Sequence, residues 1–78
     1  MKTYNGHRSW NAWNVALWIH NDYTIYQHML YCIEKGKTLN QAVRLFLKWY
    51  NGTTPDGAEY NALSVKLAMA DDFEDKSN

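Results

Sequence analysis

Apolar residues recur at helical spacing through most of the chain, and each recurring stretch begins and ends at residues suited to a helix terminus. The first follows Ser9, a good N-cap, and extends to about Asn21. At about 100° per residue, Trp10, Trp13, Leu17 and His20 fall along one stripe, and Ala12, Val15, Ala16 and Ile19 widen the apolar surface. Asn11, Asn14 and Asn21 leave a narrow polar strip, with Trp18 beside it and away from the tryptophan–leucine stripe. Asn21-Asp22 interrupts the pattern. Asp22 then caps a second helix to about Lys35, in which Tyr23, Ile25, Tyr26, Met29, Leu30 and Ile33 oppose Thr24, Gln27 and Glu34. Gly36 stands where a C′ glycine belongs.

Thr38-Leu39-Asn40-Gln41 has the form of a capping box and opens a third helix. Leu39, Ala42, Val43, Phe46, Trp49 and Tyr50 make its apolar face, widened by Leu45 and Leu47. Asn40, Gln41, Arg44 and Lys48 make its polar face. After Asn51-Gly52, the run Thr53-Thr54-Pro55-Asp56-Gly57 is the plainest turn in the chain. A last helix is expected from about Asn61 to Asp71, although Pro55 at a first-turn position leaves an earlier start open. No strand pattern or internal repeat competes. The expected fold is all-α: a compact bundle of four short helices, approximately 9–21, 22–35, 38–50 and 61–71.

Seventy-eight residues suit one small domain, expected over 1–70, with 71–78 as an acidic tail, solvated and frayed. A single cysteine excludes an internal disulfide framework and points to a reducing compartment. The longest apolar run, Val15 to Ile19, falls far short of the roughly 20 residues a membrane span needs, and the first residues lack the apolar stretch of a signal peptide. A cytoplasmic protein without membrane contact is the expectation. Net charge is zero, but it is segregated. Residues 1–50 carry six bases against two acids, and residues 51–78 carry two bases against six acids. That total excludes a nucleic-acid coat with a large basic surplus and a surface-wide mimic of DNA.

Catalytic constellations are hard to find. Ser9, Ser64 and Ser77 lie in no nucleophile-elbow context, and the four isolated glycines form no phosphate-cradling loop. Paired carboxylates occur only as Asp71-Asp72 and Glu74-Asp75. No catalytic residue and no cofactor is expected. His28 and Cys32, four apart on a helix, could face one ion, but two ligands do not make a zinc site, and Cys32 sits where a free cysteine packs as a small hydrophobe. No metal site is expected.

Two binding readings remain. A first helix that is apolar nearly all round needs cover on most sides, and three short helices cannot supply it, so a partner protein, a second copy or tolerated exposure would account for the remainder. Tryptophan is enriched at interface hot spots, which makes Trp18, with Asn14 and Asn11 beside it, the expected partner-binding set, with Trp18 as ordinary core under the last helix left open as the other reading. The alternative is a helix-turn-helix-like DNA-binding regulator. In that reading the second helix, the Gly36 turn and the third helix present Asn40, Gln41, Arg44 and Lys48 to bases and phosphates.

Tyr4-Asn5-Gly6, Trp13-Asn14-Val15-Ala16-Leu17-Trp18-Ile19 with Asn21-Asp22, and Thr54-Pro55-Asp56-Gly57-Ala58-Glu59-Tyr60 with Ser64-Val65-Lys66 together resemble a family of short uncharacterised proteins. These are encoded by bacteriophages and other mobile elements. The chain departs from that pattern after Asn21-Asp22, where it reads Tyr23-Thr24 rather than Glu-Gly. The resemblance implies no catalytic or ligand-binding residue. It implies a setting: a small phage accessory protein in the cytoplasm of an infected bacterium, binding and redirecting or inhibiting a host protein, as an anti-defence, anti-CRISPR-like inhibitor does.

Overall fold

The computed structural model describes residues 9–76. Over these described residues the chain folds as four helices, α1 (Trp10–Asn21), α2 (Tyr23–Lys35), α3 (Leu39–Trp49) and α4 (Ala62–Lys76), an all-α bundle. Among the described residues, no helix is long and apolar enough to cross a membrane. The helix starts follow from local chemistry. Ser9 Oγ accepts from the Ala12 N–H (3.2 Å), Asp22 Oδ1 from Ile25 (3.1 Å) and Thr38 Oγ1 from Gln41 (3.2 Å), so each cap satisfies an otherwise orphaned first-turn donor. Gln41 reaches back one residue beyond the cap, its side-chain oxygen accepting the Lys37 N–H at 2.9 Å in place of the Thr38 N–H of a closed capping box. At α4 the pair is Asn61 and Ser64: Asn61 Oδ1 accepts from Ser64 N–H (2.9 Å), and Ser64 Oγ accepts from Asn61 N–H (3.1 Å).

Every helix contributes to one core. It holds Val15 and Ile19 of α1, Met29 and Cys32 of α2, Ala42 and Phe46 of α3, and Val65 and Met69 of α4, all buried. α1 and α4 run side by side in the same direction, since Asn11 meets Glu59 just before α4 and His20 meets Asp72 near its end. α2 and α4 pack against each other, and the backbones of α1 and α3 do not approach each other, so α1 and α3 occupy opposite sides of the α2–α4 pair.

Between α3 and α4 the expected turn is a miniature hairpin. Thr54 N–H donates to Ala58 O (2.7 Å), Gly57 N–H to Thr54 O (2.9 Å) and Tyr60 N–H to Gly52 O (3.0 Å), with a single antiparallel bridge between Thr53 and Glu59. Gly57 has φ +96°, the left-handed conformation that a three-residue hairpin loop requires and glycine adopts without steric cost. Ala58 and Tyr60 drop from this hairpin into the core, where the Tyr60 ring lies 5.9 Å from Phe46 and 5.8 Å from Tyr50.

Four expectations need correction. The Trp10–Trp13–Leu17 stripe of α1 lies toward its outer side, with Trp10 39% and Leu17 37% exposed and Trp13 half-buried, whereas of the asparagine strip Asn14 is buried, Asn11 is half-buried and Asn21 stays exposed. The reason is that the hairpin offers polar partners to Asn14 and Asn11. Second, α4 does not end at Asp71 in a frayed tail. It continues to Lys76 because Phe73 packs on the core, Asp72 meets His20 at 2.8 Å, and the Lys76 ammonium donates to the carbonyls of Ile33 and Gly36 at the orphaned end of α2. Third, Gly36 has φ −81°, not a left-handed C′ conformation; it is small because α3 comes close, and a Cβ there would lie 2.7 Å from the Ala42 nitrogen. Fourth, Trp49, expected on the buried face of α3, is 73% exposed at the helix end.

Candidate functional site

The three residues expected to bind a partner form one assembly, and their polar groups are spent within the chain. Asn14, 2% exposed, donates Nδ2–H to Asp56 Oδ2 (2.8 Å) and accepts the Thr54 hydroxyl at 2.6 Å. Thr54 Oγ1 in turn accepts the Ala58 N–H at 3.1 Å. Trp18 donates Nε1–H to the same Asp56 oxygen at 2.9 Å. Asn11 pairs with the backbone of Glu59 in both directions, at 2.9 and 2.7 Å, as a neighbouring strand would. α1 thus holds the hairpin by a polar clasp, and Asn11, Asn14 and Trp18 occur at the spacing that puts them on one helical flank. The amide of Asn14 and then the indole of Trp18 hold the Asp56 carboxyl below its ordinary range, against a smaller opposing desolvation.

Beside this clasp, Leu17, Trp18, Asn21 and Asp22 line an open cavity of about 240 Å³. Trp18 is half-buried, with Leu17 more open to solvent. The outer face of α1 therefore offers apolar side chains next to a shallow depression.

The four residues expected for DNA recognition lie exposed on α3 but are divided between two grooves. Gln41, Arg44 and Lys48 line an open crevice of about 340 Å³ with Lys35, Gly36 and Leu45, between α2 and α3. Asn40 and Arg44 line a second groove, of about 420 Å³, with Leu63 and Lys66, between α3 and α4. Gln41 already spends its amide oxygen on the Lys37 N–H, so the set presents no single row of free amides for base edges.

Sequence reasoning missed the aromatic margin of the α2–α3 crevice. Tyr31 of α2 is 54% exposed, and the Lys35 ammonium lies 5.8 Å from its ring centre. The His28 ring lies 6.3 Å from Tyr31, 6.0 Å from Trp49 and 5.2 Å from Tyr50. Tyr31 and Lys35, at i and i+4, signal a shared helix flank in the sequence, but nothing local says that Trp49 joins them. Deeper in the same margin, the Cys32 sulfur is 3.5 Å from His28 Nε2. Burial pushes this thiol up to about 11 and lowers the imidazole. A protonated thiol facing a neutral imidazole suits packing, since a metal takes the thiolate. Among the described residues, no third His, Cys, Asp or Glu joins the pair.

Residues 1–77 match the profile of a family of unknown function, DUF7249. The chain belongs to that family. No curated protein and no solved structure matches it. The match runs through α1 and through the hairpin, the two segments that the clasp joins in this DUF7249 protein.

Proposed function

We propose that this chain is a non-enzymatic accessory protein, of the phage-encoded kind that its tryptophan and turn segments resemble, which binds and restrains a host protein in the manner of an anti-defence inhibitor. One observation carries the reading: with α2, α4 and the hairpin all packed on it, α1 still keeps Trp10 39% and Leu17 37% exposed. Exposed single hydrophobes are ordinary, but these two lie seven apart on one flank of the helix, and Leu17 also lines the cavity with Trp18, Asn21 and Asp22, where an apolar anchor from a partner can enter. Trp18 borders that cavity while bound to Asp56, so it serves the contact as a wall and not as a free knob.

Affinity capture from bacterial lysate, with mass spectrometry, tests the reading. Leu17→Glu is the informative variant, because Leu17 is outside the core and the substitution leaves the clasp intact. Trp18→Ala would also remove a bond from the clasp to Asp56 and could not separate the two effects. The expected result is a host protein retained by wild type and lost with Leu17→Glu. Identical sets captured by both would remove α1 from the argument.

A further inference from the structure

On the opposite side of the molecule we infer a second binding site: the α2–α3 crevice takes single-stranded nucleic acid, with Trp49 and Tyr31 stacking on bases and Lys35, Arg44 and Lys48 meeting phosphates. It does not depend on the protein contact of α1, since the backbones of α1 and α3 do not approach each other.

The argument starts from Trp49. A tryptophan 73% exposed in the last turn of a helix leaves a large apolar ring in water, and Tyr31, 54% exposed, stands across the His28 ring from it. Both rings are open to solvent. An open aromatic face is what a base stacks upon, whatever its identity. The crevice itself is lined by three cations, Lys35, Arg44 and Lys48, with Gly36, Gln41 and Leu45 and no carboxylate; Tyr31, under the Lys35 ammonium, and Trp49, next to Lys48, stand at its margin. Among the described residues the only ion pair is His20 with Asp72, on the far side, so none of these three charges is neutralised by a protein carboxylate. A cationic groove with open aromatic rings at its margin matches a sugar–phosphate strand with unstacked bases. Duplex recognition lacks such support, because stacking needs bases out of the helix and because Gln41 is already engaged.

The test is fluorescence anisotropy of a labelled oligo(dT) of about 12 nucleotides, a length within the range one small module covers, with tryptophan emission followed in parallel. Binding at low salt is expected, with quenched emission. Neutralising about three phosphates gives a slope near −2 for log K against log salt on a single strand. Trp49→Ala is expected to weaken binding about tenfold or more and abolish most of the quenching, and Trp49 is exposed enough that circular dichroism should be unchanged. Arg44→Ala with Lys48→Ala should flatten the salt slope to about −1. Three outcomes overturn the inference: no anisotropy change at low salt, tighter binding to a duplex of the same length, or displacement of the oligonucleotide by an equally charged poly-glutamate peptide at equal concentration. The last would assign the face to an acidic protein.

Discussion

Asn14 decides how the longest connection in the molecule is held. Its amide is buried and joins two hairpin residues, accepting from Thr54 and donating to Asp56. Replacing it with alanine removes one group and strands another, since the Thr54 hydroxyl, also buried, loses its acceptor. Leaving a buried polar group unsatisfied costs about 1–3 kcal/mol, so Asn14→Ala should lower the urea midpoint accordingly, whereas alanine at exposed Asn40 should not. Asp56 supplies a pH signature. Its folded carboxyl titrates below the ordinary 3.8, so its stabilising effect is complete above that value and is lost as the pH falls through the lower folded value. Other carboxylates also titrate in acid, so the test is comparative: Asp56→Asn should show a shallower loss of stability than wild type between about pH 5 and pH 3. Parallel curves would remove Asp56 from the acid response. The sequence shows Ser9, Asp22 and Thr38 as caps because their partners are three residues away. It does not show that Asn14 faces inward, because a lone asparagine on an apolar helix reads as a polar edge and its partners lie in the hairpin, beyond any local window.

At the scale of elements, periodicity gave the four helices and their order, and errors gathered where one element ends against another. Gly36 reads as a helix stop in the sequence and is one, but its smallness serves the approach of Ala42. Alanine fits the backbone there, at φ −81° and ψ 131°, so any cost of Gly36→Ala comes from space alone. A Cβ within 2.7–3.0 Å of Ala42 must push α3 away, and overpacking of this kind costs about 1–3 kcal/mol. A matched loss of thermal stability is expected, whereas Gly52→Ala, with open space around it, should be near neutral. The end of α4 gives a second test. Asp71 to Lys76 is acidic enough to read as a solvated tail, and only the apolar Phe73 hints otherwise. A chain ending at Asp71 loses the Phe73 packing, the Asp72–His20 pair and the Lys76 contacts with α2. It should melt several degrees lower, at roughly 4–8 °C per kcal/mol for a domain this size. An unchanged melting temperature would return these residues to the status of a tail.

For the whole molecule, the charge segregation visible along the sequence becomes segregation in space. Lys35, Arg44, Lys48 and Lys66 border the two grooves that flank α3. Asp71, Asp72 and Asp75 share the sector of α4 turned toward α1, where Asp72 meets His20, and Asp56 and Glu59 lie on the hairpin bound to α1. The grooves that flank α3 are therefore bordered by cations, and six of the eight carboxylates lie on α4 and the hairpin, while net charge is zero and the isoelectric point is about 6.8. A neutral total removes the long-range repulsion that keeps proteins apart, and opposite faces attract head to tail. Such a contact uses two different surfaces and does not close on itself, so weak open-ended association is expected near neutral pH, without a fixed stoichiometry. Sedimentation velocity at about 20 mM salt, where the screening length exceeds 10 Å, should show an average mass rising with concentration above the 9.2 kDa of one chain. Raising salt to about 0.3 M should restore the single-chain mass, because exposed charges are then screened within a few ångströms. Arg44→Glu with Lys48→Glu should do the same at low salt by removing the basic face. Association that survives both treatments would instead be apolar, and Leu17→Glu would then tell whether the outer face of α1 carries it.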